Sequence, residues 1–136
     1  MNAAPDVFRI AIAQLNPVVG DIARNLAKAR EARAEAARQG ADLVLFTDLV
    51  LKPAFLSACE AAVNAFAADT SDGAPGVIIG TPLKRDSGVH NSVAVLDGGK
   101  IIAERHKIDL PNYGEFDEKR VFQPGPGLPG PVNFRG

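Results

Sequence analysis

An α/β domain, with a mixed sheet and two long helices on one of its faces, is the fold class that this 136-residue sequence predicts. Three observations carry that expectation. Two alanine-rich stretches of helical periodicity lie between short apolar segments of strand length. Leu43-Val44-Leu45-Phe46 is a continuous apolar run directly after the first of them, which reads as a parallel strand buried on both faces of a βαβ unit. Later, Asp97-Gly98-Gly99 separates two further strand-like segments with residues that tolerate positive φ, a hairpin signal. The order β-α-β-α-β-β-β follows, parallel at first and antiparallel afterwards.

The segment from Phe8 to Leu15 alternates large apolar residues with small or polar ones and closes on Asn16-Pro17, as a strand ending in a turn does. Asp21 then offers an N-cap. Ile22, Leu26, Ala29, Ala32, Ala36 and Ala37 recur near helical spacing up to Gln39-Gly40, where glycine can take the left-handed stop conformation. This helix is expected to carry a basic outer face. Pro53 suits the first turn of a second helix, whose apolar face collects Phe55, Cys59, Ala62, Val63, Phe66 and Ala67, leaving Ser57, Glu60 and Asn64 elsewhere on the wheel. Val77 to Gly80 reads as the next buried strand, and Ser92 to Leu96 and Lys100 to Glu104 as the hairpin. From Gln123 to Pro131 the alternation of proline and glycine permits neither helix nor interior strand. One face of such a sheet takes the helices. The other needs a cover, and no third long helix is available for it.

Composition narrows the function classes. Fifteen Lys and Arg against sixteen Asp and Glu give a net charge of -1, so no cationic excess drives binding to nucleic acid. No apolar run approaches the roughly 20 residues of a membrane span, and the first six residues lack the form of a secretory leader. A cytoplasmic location is the expectation. Cys59, the only cysteine, has no partner for a disulfide or a structural zinc site, and its place among Val63 and Phe66 marks it as core. No metal site is expected. No glycine-rich loop opens a helix onto phosphate either, since Gly98-Gly99 closes a hairpin and Gly125 and Gly127 lie in the proline-rich loop.

Four segments together resemble the amidase domain of glutamine-dependent NAD synthetases, within the nitrilase (carbon-nitrogen hydrolase) superfamily. They are Ile12-Ala13-Gln14-Leu15-Asn16-Pro17 with Val19-Gly20-Asp21, Gly40 to Phe46, Val77-Ile78-Ile79-Gly80-Thr81-Pro82, and the block from His106 to Arg120. The first three are shared widely among nitrilase relatives. The Leu110-Pro111-Asn112-Tyr113-Gly114 and Phe116-Asp117-Glu118-Lys119-Arg120 pieces are the specific ones. The resemblance covers about residues 8–136 and implies a four-layer αββα sandwich, of which this chain would form an incomplete part. It also implies a chemistry: a cysteine thiolate attacks the side-chain amide of glutamine, a glutamate serves as general base and acid, and a lysine stabilises the oxyanion.

Carried over by that resemblance, Lys107 falls at the catalytic lysine, Glu118 at a second glutamate that orients the lysine or substrate, and Tyr113 at a substrate-contacting position. Read without it, Lys107 is a solvated charge at a strand end, Glu118 one charge of an exposed run, and Tyr113 a loop aromatic with its hydroxyl in water. Two departures bear on activity. After Phe46 the sequence continues Thr47-Asp48-Leu49-Val50-Leu51-Lys52-Pro53, where the family has Pro-Glu and a further loop, so an internal shortening near 46–48 is inferred and the general-base glutamate with it. Asp48 can be read as a shortened stand-in, but its side chain is a methylene shorter and proton transfer requires hydrogen-bond reach, so that reading is disfavoured. The family's nucleophilic cysteine also lies beyond the segment matched by Pro131 to Gly136, and Cys59 does not stand in for it.

The expectation is therefore one partial amidase domain over residues 1–136, inactive alone. It would have no cofactor of its own, because ATP and magnesium are implied only for the synthetase domain, and glutamine would be the substrate of the complete domain. An uncovered apolar sheet face predicts dependence on the complementary part of the domain or on homo-oligomer contacts. A non-catalytic binding or assembly module, or an amidase for another small amide, are the alternatives.

Overall fold

The computed structural model describes residues 7–46, 56–114, 117–128 and 130–136. Five strands form one sheet in the order of the chain: β1 (Ile10–Ala13), β2 (Leu43–Phe46), β3 (Gly76–Arg85), β4 (Gly88–Asp97) and β5 (Lys100–His106). The β1, β2 and β3 strands run parallel, and β3, β4 and β5 antiparallel. Helix α1 (Ile22–Arg38) links β1 to β2 and α2 (Leu56–Asp69) lies between β2 and β3. Right-handed crossovers stepping in one direction across the sheet place both helices on the same face. The predicted positions Pro53 and Phe55, together with Asp48 and the shortening near 46–48, extend outside the described residues.

The ends of α1 are made by short-range chemistry. The Asp21 carboxylate accepts from the Arg24 N–H at 3.1 Å. At the other end Gly40 takes φ 72°, with its N–H on Ala37 O at 3.0 Å and the Ala41 N–H on Ala36 O at 3.0 Å, the paired bonds of a Schellman stop. The face of α1 departs from expectation. Arg33 and Asn25 are buried beside Ala29 and Ala36, so the basic residues are not all on the outside. Asn25 exchanges two bonds with the Val18 backbone, at 2.9 and 2.8 Å, and tacks the β1–α1 loop to the helix. Arg33 reaches the far end of α2: it donates to Pro75 O at 2.7 Å and in a fork to Asp72 at 3.1 and 2.7 Å.

The core lies between the helices and the sheet. Val63, Phe66 and Ala67 of α2 meet Val44, Phe46, Val77, Ile79, Ala94 and Leu96. The Phe66 ring meets that of Phe46 edge to face at 5.9 Å. Truncating Phe66 to alanine is the single change that would open this core most, at about 3–5 kcal/mol.

Two further corrections concern strands. Val77 to Gly80 is only the start of β3, which runs on through Pro82 to Arg85 and turns at Asp86-Ser87 into β4. Proline is accommodated there because β2 pairs only with Gly76 to Ile78, so one side of β3 at Pro82 has no ladder to supply. The other is that β2 is not buried on both faces, for Leu45 is exposed along with Ile10, Ile12 and Val93. By strand alternation these residues project from the face opposite the helices. The chain does cover one end of that face. Phe134 packs over Gly76 and against Phe8, with ring centroids 5.8 Å apart, and Arg135 clasps Asp97 at 2.6 Å. Farther along, Ile12 remains 72% exposed.

Candidate active site

Lys107 follows the last residue of β5, and its backbone is held from two sides. Its N–H donates to Asn91 O at 2.7 Å, adding one rung to the β4–β5 ladder, and its carbonyl accepts from the Gly125 N–H at 2.9 Å. Glycine is required for that approach, since a Cβ on residue 125 would stand 2.7 Å from His106 O. The proline- and glycine-rich loop is thus the wall that fixes Lys107. Among the described residues it forms no helix or strand, as its composition predicts.

The Lys107 ammonium donates to Glu118 Oε1 at 2.9 Å. Glu118 opens a short 3-10 turn, Glu118–Arg120, anchored by its N–H on Pro111 O at 3.2 Å and by the Phe122 N–H on its carbonyl at 2.8 Å. Its second oxygen, Oε2, faces the Asn91 amide at 3.5 Å. Within the same charged run Asp117 and Arg120 pair with each other in solvent, whereas the Glu118 side chain is 21% exposed and turned toward Lys107. An ion pair this accessible adds at most ~1 kcal/mol to stability, and it sets the ammonium against Glu118 Oε1. Tyr113 lies in the loop between Pro111 and Gly114 and is 72% exposed. Of the three predicted site residues, a hydrogen bond joins Lys107 to Glu118, while Tyr113 presents most of its surface to solvent.

Behind the loop stand two histidines that sequence reasoning passed over. The His90 and His106 rings stack at 4.6 Å and 27°. Nδ1 of His90 lies 2.9 Å from Gln123 O, and since a carbonyl only accepts, that nitrogen carries a proton, while Nε2 and the Ser87 hydroxyl are hydrogen-bonded at 2.7 Å. The Gln123 N–H returns to Val89 O at 2.7 Å, so the loop is pinned on both sides of His90. His106 bonds Ser92 Oγ through Nδ1 at 2.7 Å, and burial, aided by the neighbouring His90, holds its pKa below the usual histidine value. The signal was present: His90 and Ser92 are polar residues at alternate positions of a strand, on the face that otherwise collects core residues.

Cys59 belongs to the helix layer. It is 2% exposed and lines a cavity of about 30 Å³ with Ile22, Leu26, Ala29, Val63 and Phe66, and burial pushes its thiol pKa up. A thiol so placed is protonated at neutral pH and has no path to an amide. Among the described residues no group of three or more His, Cys, Asp or Glu could hold a metal ion, and no helix is long and apolar enough to cross a membrane.

A mixed sheet with two helices on one face, whose antiparallel end presents a lysine paired to a glutamate, defines the class. Residues 9–134 match the carbon-nitrogen hydrolase family model, and the chain belongs to that family. It is 44% identical over 131 residues to the glutamine-dependent NAD(+) synthetase of Rhodobacter capsulatus, covering 89% of this chain and 24% of that protein. The corresponding synthetase of Thermotoga maritima is 38% identical over 131 residues, with 89% and 23% covered. The chain therefore spans about a quarter of the length of these curated relatives. Among solved structures, the glutamine-dependent NAD+ synthetase of Acinetobacter baumannii superimposes with a TM-score of 0.74 at 33% identity, over 88% of this chain and 24% of that one. An amidase from Nesterenkonia sp. gives 0.78 at 26% identity, over 93% and 51%. The nitrilase-type fold is thereby established, and the chain is homologous to the N-terminal region of NAD synthetases.

Proposed function

We propose that this chain supplies the lysine-bearing part of a glutamine amidase site of the NAD-synthetase kind and does not turn over glutamine alone. The 2.9 Å bond between Lys107 and Glu118 carries this reading. A tetrahedral intermediate formed on an amide carbonyl needs a preorganised cation; the Lys107 ammonium is paired with the Glu118 carboxylate at 2.9 Å, and its main chain is held by two backbone hydrogen bonds. In this reading Glu118 orients the lysine and Tyr113 contacts the substrate. The nucleophile is a thiolate other than buried Cys59, and the general base is a carboxylate other than Asp48. The chain needs no cofactor, ATP and magnesium serving the separate synthetase reaction, and it acts in the cytoplasm with the complementary part of the domain or a second copy on the open sheet face.

Ammonia release from glutamine tests this. The chain alone is expected to give none. A chimera that takes the counterpart of residues 47–52 and of the sequence following the matched region from the Rhodobacter capsulatus synthetase is expected to hydrolyse glutamine. Its Lys107→Met variant should lose roughly 10²–10³-fold, as removal of an oxyanion donor does. Turnover by the chain alone that survives Cys59→Ala would remove the proposed inactivity of this chain by itself, and an active Lys107→Met chimera the role of Lys107. The exposed Ile12, Leu45 and Val93 favour a second reading, an assembly module without catalysis. Strictly monomeric sedimentation of the chain at high concentration would count against it.

A further inference from the structure

The Lys107–Glu118 pair leaves one carboxylate oxygen and one backbone N–H to account for, and a single residue meets both. Asn91 O accepts the Lys107 N–H at 2.7 Å, and Asn91 Nδ2 lies 3.5 Å from Glu118 Oε2, the oxygen that the lysine does not use. Asn91 occupies the middle of β4, opposite Pro82 on β3, so its backbone is fixed by the sheet and not by the loop. Glu118, in contrast, stands on a three-residue 3-10 turn with loop on both sides. A carboxylate on such a turn can rotate about its terminal torsion. A donor at 3.5 Å from its second oxygen narrows that freedom and favours Oε1 facing the ammonium.

We infer that Asn91 is a positioning residue of the candidate site: its side-chain amide sets the orientation of the Glu118 carboxylate, and through it that of the Lys107 ammonium. Its role in catalysis rests on the amidase reading given above, while its role in geometry does not. The alternative is that Asn91 is only a strand residue. The two are separable because the bond to the Lys107 N–H uses the Asn91 main chain, which every substitution keeps. Asn91→Ala removes the amide alone. Asn91→Asp keeps the shape, removes the donor and sets a second negative charge against Glu118.

The decisive measurement is made on the full chain. In ¹H–¹⁵N spectra at low temperature, the Lys107 ammonium resonance is assigned by its loss in Lys107→Met. It is expected to shift or broaden in Asn91→Ala and more so in Asn91→Asp, while the backbone amides of β1 and β2, which do not pair with β4, stay in place. An ammonium resonance unchanged in both variants overturns the inference. A variant that loses the native amide pattern is replaced by Asn91→Ser, which is read in the same way. A kinetic arm uses the glutamine-hydrolysing chimera: Asn91→Ala should lower kcat roughly tenfold with KM within about twofold, because orientation of the cation and not substrate affinity is lost. Unchanged kcat there also overturns the inference. A parent chimera without glutaminase activity overturns the amidase reading instead, and the ammonium spectrum still decides on Asn91.

Discussion

Replacing Arg33 by methionine keeps the aliphatic stem in place and deletes every donor of the guanidinium. The side chain is 8% exposed and bonds Pro75 O at 2.7 Å, Asp72 Oδ1 at 2.7 Å and Asp72 Oδ2 at 3.1 Å, with a long contact to Asp69 O at 3.4 Å. Losing the bond to Pro75 O leaves a buried carbonyl without that donor, at about 1–3 kcal/mol. Asp72 is half exposed and recovers water, so its charge-assisted fork is discounted to roughly 1 kcal/mol. The sum is about 2–4 kcal/mol, a large share of the ~5–15 kcal/mol that holds a domain folded. Arg30→Met is the control, because Arg30 makes one exposed bond to Asp69 at 2.6 Å and should cost under about 1 kcal/mol. Urea titration followed by far-UV circular dichroism gives both values from the midpoint and slope. An Arg33→Met midpoint indistinguishable from that of Arg30→Met would refute the argument that burial, and not charge, makes Arg33 important.

Three other outcomes are expected. Cys59 should react with a thiol reagent only on unfolding, and Cys59→Ala should cost about 1–2 kcal/mol; rapid labelling of the folded chain contradicts this. His106 has a folded pKa below its ordinary value, so the unfolded chain binds the proton more readily, and stability is full above about pH 6.5 and falls as pH drops through that value toward the depressed one. The melting temperature should decline from pH 7 to 5, and the decline should shrink in His106→Gln. Glu104 opposes this shift and Arg85 supports it, whereas Asp72, lowered by its bond to Arg33, titrates in a more acidic window. Gly125→Ala drives a methyl against His106 O, and hydrogen exchange should speed up at Gln123 and at position 125 but not in β1 or β2; equal protection in both forms would show that the loop yields without cost.

Local chemistry made much of this molecule legible in advance. Asp21 and Gly40 bound α1 because capping and left-handed φ depend on neighbours a few residues away. The Asp97-Gly98-Gly99 hairpin, the parallel β1–β2–β3 order and the absence of helix or strand among the described residues of the proline-glycine loop follow from turn chemistry, strand period and missing N–H groups in the same way. Lys107 and Glu118 were singled out by resemblance to a family motif, and the structure joins them by a hydrogen bond. What placed them 2.9 Å apart is a contact between residues separated by a turn and a loop, which no local pattern encodes.

The tertiary structure alone decided the rest. Arg33 and Asn25 look like surface residues of a helix until the end of α2 and the β1–α1 loop arrive to satisfy them inside. His90 and Asn91 are ordinary strand residues until a loop more than 25 positions later brings Gln123 O and Glu118 Oε2 to them. Phe134 covers one end of the sheet, and Leu45 stays open, because coverage of a face depends on where distant chain lies down. Sequence determines which groups must be paired or buried, since that is a property of each side chain in water. Only the fold determines which partner does it, since that is a property of the space between elements.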